Sequence, residues 1–372
     1  MLDGVQLTLL IGALLPEPVP QALVDALQSA QVTSQAGERS GFQLVFGVGK
    51  GAPGVGALLE QGYFDPPRRV VIVAMVNGSP NVLMDGVITR HDLAPSNEPG
   101  QSKLTVTGED LSRMLDLIDF SWLIKYPAMP AEARVALILA KYAMYGIVPA
   151  IVPSIMIDVP LPTDTIPGHR GTDLQYLNLL AQRVGYVFYL QPGPLPGMNI
   201  AYWGPEIRVG VPQAALVVNS DAHTNVESMS FSFDGFAKTL NVILILLKET
   251  HIPIPIPVPD VNPISPPLGP RMPVPLRIEP MTGLAKFTPI QAALIAIARA
   301  ARTADVVSGS GSLDVVRYGQ LLQARQLVEV RGAGLPHDGW HYVKSVTHQI
   351  KPGEFKQSFT LARNAFMPWT GG

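Results

Sequence analysis

His337 and His341 stand four apart in the segment HDGWH, with Asp338 between them. Two imidazoles at that spacing can share a metal when they lie on one helix face. Here Gly339 and the run HYVKSV predict a turn entering a strand, where residues i and i+4 share a face but stand about 13 Å apart. No metal centre is expected there. His169 and Asp173 in HRGTD resemble a loop leading into a helix, where Thr172 or Asp173 is expected to be a cap rather than a catalyst. Gly47, Gly49 and Gly51 surround Lys50 in the manner of a phosphate-cradling loop. No Ser or Thr follows the lysine, and Ala52-Pro53-Gly54 is not expected to open a helix, so a flexible turn is expected. Ser308 to Ser312 alternates Ser with Gly without a nucleophile-elbow pattern and reads as a loop. Asp158 and Asp164 flank Pro-rich loops with no partner base. The sequence thus predicts no catalytic residues, no cofactor and no metal ligands.

The composition bounds the rest. A chain of 372 residues predicts two to four domains, with 47% hydrophobic and only 15% charged residues to build them. Disorder as the main state is excluded by that apolar content. Lys and Arg number 27 against 29 Asp and Glu, a net charge of -2, which gives no electrostatic footprint for nucleic acid or anionic lipid. Cysteine is absent, so disulfides, thiolate nucleophiles and thiolate metal sites are excluded together. The start MLDGVQLTLLIGALL carries Asp3 and no preceding basic residue, and reads as a buried strand rather than a secretory signal. No apolar run reaches the ~18 residues of a spanning helix, so no membrane insertion is expected.

The elements that must position any site follow from periodicity. Residues 5–12 and 42–48 read as strands separated by a polar, turn-rich interval. Residues 69–90 read as a hairpin about Asn77-Gly78. Strand 103–111 is ended by Gly108, after which Asp110 caps a short helix. Residues 130–150 predict a helix with Pro130 in its first turn. Asp173 opens a second helix with Leu174, Tyr176, Leu177, Leu180 and Val184 on one face, stopped by Gly185 before an aromatic strand. Two further strands precede residue 234. The segment 251–280 holds 11 prolines and must be an edge or an extended arm, since proline cannot donate to a ladder. Thr288 and Pro289 open a helix to Ala301. Four strands follow, the last two joined at a turn around Gly353. Two β-rich regions raise an internal duplication without any residue-level repeat.

Several segments together resemble the hub proteins of contractile phage tails and injection systems, the late control D family, akin to the first part of type VI secretion spike proteins. The carrying residues are MDGVITRHDL (84–93) with LTVTGEDLSRMLD (104–116), GTDLQYLNLLAQRVGYVFYL (171–190), and RYGQLLQARQLVEVRGAG (317–334) leading to GWHYVKSVTHQIKPGEFKQSFTLARN (339–364). The resemblance implies a β-rich α+β fold with two tube-like β-barrel domains. Residues 1–116 would form the first, 209–240 with 304–364 the second, and 117–208 a small α+β domain between them. A Pro-rich and helical insert (241–303) and a C-terminal tail (365–372) complete the partition.

The implied role is a structural, non-catalytic hub: a homotrimer adapting a six-fold inner tube to a three-fold spike within a baseplate. Its partners would be an inner tube or tube-initiator protein, a separate spike protein and baseplate wedge components. Assembly in the cytoplasm, then residence in a tail or injection particle, is implied as well. Ending at Gly372 without an OB-like or β-helical region, the chain is expected to meet its spike as another polypeptide. The residues expected to matter for assembly are Gly108, Asp110, Asp173, Gly185, Tyr318, Gly319, Gly339, His348, Gly353, Arg363 and Asn364. Tyr318, Gly319 and Leu321 would shape the second barrel and Arg363 with Asn364 would close it, so that Gly319→Val prevents assembly. The competing reading is a β-rich hydrolase or carbohydrate-active tail component, which would need a Glu/Asp pair or a His cluster in a coherent motif.

Overall fold

The computed structural model describes residues 5–49, 53–98, 101–121, 123–154, 166–246, 253–284 and 287–369. The sequence's paired carboxylates Asp158 and Asp164, and Lys50 with Gly51, lie outside these residues. The chain is 43% strand and 19% helix, a β-rich α+β fold as expected.

The first strands are β1 (Val5–Gly12), β2 (Glu17–Pro18), β3 (Leu27–Gln35), β4 (Gly41–Gly47), β5 (Arg69–Val76), β6 (Ser79–Ala94) and β7 (Lys103–Asp110). Helix α1 (Gln21–Ala26) precedes β3 and α2 (Pro53–Glu60) follows β4. Next come α3 (Ala131–Ala140), β8 (Ile147–Ile151), α4 (Asp173–Arg183), β9 (Val187–Pro192) and β10 (Asn199–Gly204). Then β11 (Gln213–Val217), β12 (Ser228–Phe233), β13 (Thr239–Leu246), β14 (Pro253–Pro257), β15 (Arg277–Pro280) and α5 (Pro289–Arg302) follow. The chain ends with β16 (Val307–Asp314), α6 (Val315–Tyr318), β17 (Leu327–Arg331), β18 (Gly339–Lys351) and β19 (Glu354–Arg363).

Thirteen strands share one sheet, and within it a strand order occurs twice. The first half runs β3-β4-β7-β6-β5-β1 and the second runs β12-β16-β19-β18-β17-β11. The correspondence extends to register. In β6–β7 the ladder shifts between Ile88 and Arg90, and in β18–β19 it shifts between Val343 and Ser345. Aligning these two bulges places Gly108 on Leu361, Asp110 on Arg363 and Leu93 on His348. The duplication suspected from sequence is therefore visible as topology. Its first strands differ in sense, since β1 pairs β5 antiparallel whereas β11 pairs β17 in parallel. The halves are joined where β3 pairs antiparallel with the C-terminal part of β18, from Ser345 opposite Gln35 to Ile350 opposite Ala30. No backbone seam closes either half into a barrel among the described residues.

Strand alternation sends one face of this sheet inward, and residues of both halves, Leu44, Phe46, Val106, Val343, Phe355 and Leu361 among them, form one core. A separate core fills the region of α3, α4 and β8–β10, around Trp203, Tyr176 and Leu177. A third, around Ile295 and Ala296 of α5, lies beside the sheet β14-β13-β15, in which the proline-rich β14 is an edge as the sequence requires.

The structure corrects several expectations. The polar interval before residue 42 contains α1 and β3, whose Ala30 and Val32 alternate inward between Gln, Ser and Thr. A helix does open at Pro53, where buried Val55 and partly buried Leu58 and Leu59 pack against the core. Gly108 does not end its strand, which continues to Asp110. The helix expected over 130–150 stops at Ala140, and left-handed Gly146 turns the chain into β8. Ser308–Ser312 is not a loop but the middle of β16, flanked by β12 and β19. Its glycines are spaces for neighbouring rings: a Cβ on Gly309 would stand 2.7 Å from the Phe231 ring, and one on Gly311 2.7 Å from that of Phe359.

Candidate functional site

The outer face of the second half is a field of hydroxyls. Across its ladders Ser228 meets Ser312 at 2.9 Å, Ser230 meets Ser310 at 3.0 Å, Ser345 meets Thr360 at 2.6 Å and Thr33 meets Thr347 at 3.0 Å. Ser358 and the ring of Phe359 complete a shallow depression over these residues. The field spans β12, β16, β19 and β18 and crosses onto β3. Charges stand at its rim, where Lys356 pairs with Glu227 at 2.8 Å and with Glu354 at 3.1 Å. Among the described residues, no imidazole or carboxylate contacts these hydroxyls except Glu227 Oε2, 3.5 Å from Ser312 Oγ. What the arrangement offers is a neutral, hydrogen-bonding surface, not an activated nucleophile.

The residues singled out by sequence fall elsewhere. His337 sits in a turn before β18, so strand spacing does not separate it from His341; its ring stacks on Phe231 with centroids 4.8 Å apart, and that of His341 lies tilted against the same ring at 5.4 Å. His341 is buried and its pKa is pushed down to about 3, first by desolvation and then by nearby Arg363. No group of three metal-ligating side chains occurs among the described residues. His169 Nε2 lies 3.5 Å from Asp173 Oδ1, but both side chains are sealed from solvent. Asp173 also accepts hydrogen bonds from Lys141 at 2.6 Å and Tyr142 at 2.6 Å, while Tyr126 reaches His169 Nδ1 at 2.9 Å. This network holds α3 and α4 together and presents nothing to a substrate. The cap of α4 is Thr172, in a reciprocal pair with Gln175, and Asp173 is the first helical residue.

The remaining assembly candidates sit at joints. Asp110 is buried and accepts from the backbone N–H groups of Ser40 and Ser112, both at 2.9 Å, while burial raises its pKa. Gly108 leaves room for Phe42, whose ring would lie 2.2 Å from a Cβ there. Gly185, at φ 75°, lets the end of α4 approach α5, where a Cβ would stand 2.6 Å from that of Ala298. The Tyr318 hydroxyl donates to the Ala214 carbonyl at 2.6 Å. Gly319 ends α6 at φ 82° in open space, and its carbonyl accepts from Asn77 of the first half at 2.7 Å. Gly339 opens β18 and Gly353 makes the β18–β19 turn. His348 is buried with Nδ1 3.2 Å from Gln357 Nε2. Arg363 donates to the carbonyls of Asp338, Leu268 and Met367, and Asn364 accepts from Leu268 N at 2.9 Å.

Sequence reading missed Arg69, which is buried, doubly hydrogen-bonded to Asp85 and donates to the carbonyls of Leu14, Tyr145 and Gly197. Asn199 adds a bond to Asp85 at 2.8 Å. The signal was a charged residue opening the apolar run RVVIVAMV. These contacts bolt the first half of the sheet onto the β8–β10 region.

No protein-family model matches the chain, and no curated protein matches its sequence. Its fold is shared with solved structures. The tail protein from Neisseria meningitidis MC58 matches with a TM-score of 0.62 at 15% identity over 98% of each chain. The 43 kDa tail protein of prophage MuSo2 from Shewanella oneidensis matches at 0.60 and 12% identity, over 97% of this chain and 99% of that one. An E. coli component of the type VI secretion system, itself described as similar to T4 bacteriophage tail proteins, matches at 0.51 and 10% identity, over 92% and 76%. The chain therefore shares its fold with phage and prophage tail proteins and with a type VI secretion system component.

Proposed function

We propose that the chain is the structural, non-catalytic hub of a contractile tail or injection particle, a homotrimer between a six-fold inner tube and a three-fold spike. The observation that carries this reading is the doubled strand order in one sheet. A chain with two equivalent units lets three copies present six such units to a tube while remaining three-fold toward a spike. In this reading residues 1–116 and 209–240 with 304–364 are the two tube-like units, curling toward barrels. Residues 117–208 form the α+β unit between them, 241–303 the insert and 365–372 the tail. The neutral hydroxyl field faces the passage, where a surface without fixed charge neither holds nor repels what moves through. Tube protein, a separate spike and baseplate wedge components are the partners. The shared fold with tail proteins supports the same role.

The test is the mass of the purified protein in solution, alone and with its spike protein. A trimer, or a monomer that becomes three copies on a spike trimer, is the expected result. A monomer that ignores every spike partner overturns the proposal.

A further inference from the structure

Resting on that reading, we infer that β12 of one copy pairs antiparallel with the C-terminal part of β6 in the next copy, in the register by which β18 and β3 join the halves within the chain. The internal junction has a vacant counterpart. In the second half, β18 pairs β17 near its start and β19 along its length, and its remaining edge takes β3. In the first half, β6 pairs β5 as far as Val87 and β7 along its C-terminal part, so the edge from Arg90 to Ala94 has no strand beside it among the described residues. The counterpart of β3 is β12, which pairs only β16 and forms the end of the sheet. One half of the duplicated contact is made inside the chain, and the other can only be made by a second copy.

The register follows without adjustment. Carrying Ser345 opposite Gln35 and His348 opposite Val32 across the aligned bulges puts Arg90 opposite Asp234 and Leu93 opposite Phe231. Between them Asp92 meets Ser232, the counterpart of the Thr347–Thr33 hydroxyl pair, and His91 meets Phe233. Opposite charges and apolar pairs directly across a ladder are the favourable combinations. Leu93 and Phe233 are 48% and 49% exposed although both are large and apolar, as expected of side chains awaiting a cover. The segment SMSFSF of β12 also lacks the proline, lysine or other charge that guards a free edge. The occupant is a second copy of this chain.

The test uses a chain that has no cysteine of its own. Leu93→Cys with Phe231→Cys should give covalent multimers on oxidation of the assembled protein, whereas the slipped pair Leu93→Cys with Phe233→Cys should not. Asp92→Cys with Ser232→Cys covers the alternative backbone hydrogen-bonding phase. As a second readout, Arg90→Asp and Asp234→Arg should each weaken assembly at least tenfold, and the two together should restore it. A wild-type chain that forms trimers while its cysteine variants link only through the slipped pair, or through none, overturns the inference and leaves the hub reading intact. A wild-type chain that never assembles removes both.

Discussion

Asp110 and Arg363 hold the same position in the two copies of the strand order, each at the end of the strand that follows the duplicated bulge. They complete their surroundings with opposite chemistry. The Asp110 carboxylate gathers the N–H groups of Ser40 and Ser112, and the Arg363 guanidinium gathers three carbonyls. In each case a strand end leaves backbone groups that no ladder satisfies, and a buried charge supplies their partners.

Removing Arg363 strands more than a charge. In Arg363→Met the carbonyls of Asp338, Leu268 and Met367 lose their donor inside a packed joint, so a loss of about 3 kcal/mol is expected. Asp110→Ala should cost about 1–2 kcal/mol as a lost cap. Chemical denaturation of both variants checks the order, and an Arg363→Met midpoint equal to wild type would show that solvent replaces the guanidinium.

A rung of the sheet exchanges its large and small members between the halves. Phe42 faces Gly108 in the first, and Gly309 faces Leu361 at the equivalent place in the second. Gly108→Leu alone should destabilise by about 3 kcal/mol through overpacking, since the Phe42 ring and the Val87 carbonyl oxygen, 2.3 Å from a Cβ there, both fill the space and only the ring can be removed. Phe42→Gly combined with Gly108→Leu reproduces the arrangement of the second half and should recover part of that loss. Thermal melts of the two single variants and the pair measure the coupling, and strict additivity would count against the equivalence.

That exchange explains what could be read from the sequence. Strands built on Val, Ile and aromatic alternation, the Asn77-Gly78 hairpin, the Thr288-capped helix and the α4 segment were all legible, because their signals are local. The duplication was only suspected, because its equivalent positions hold unlike residues: Asp110 in one half where the other has Arg363, and Leu93 where it has His348. β3 and β16 hid for a related reason. Their polar and glycine residues look loop-like until Phe231 and Phe359 are placed over the glycines of β16. The hydroxyl field was in view as a Ser-Gly alternation but had no meaning without its cross-strand partners.

Acid should loosen the second half at His348. The ring is buried, its Nδ1 accepts from Gln357, and burial holds its pKa at about 4. In the unfolded chain the same group titrates near 6.5. Its folded pKa is depressed, so the stability it contributes is complete above about pH 6.5 and is lost as pH falls toward 4. At 1.36 kcal/mol for each unit, that loss is about 3 kcal/mol. His341, held at about 3, adds to the loss in the same direction. His348→Leu, which installs the residue found at the equivalent Leu93, should flatten the limb between pH 6.5 and 4. An unchanged slope in denaturation series across that window would place the acid sensitivity elsewhere.

In the proposed ring, the hydroxyl field offers a way to test passage apart from assembly. Ser310 and Thr360 project from the outer face, are exposed, and pair only with other hydroxyls. Replacing both with Lys buries no charge and breaks no core contact but sets two like charges directly opposite on the β16–β19 ladder, so a loss of about 1 kcal/mol is expected. Assembly should be retained as well, because the replaced side chains lie away from the strand edges at Leu93 and Phe231. A ring lined in this way would carry six added positive charges facing one another across the passage, a field that falls off over a Debye length of about 8 Å at physiological salt. Delivery by the reconstituted particle should therefore drop for positively charged cargo and change with salt concentration. Normal delivery by fully assembled particles carrying both lysines would show that this face does not line the passage.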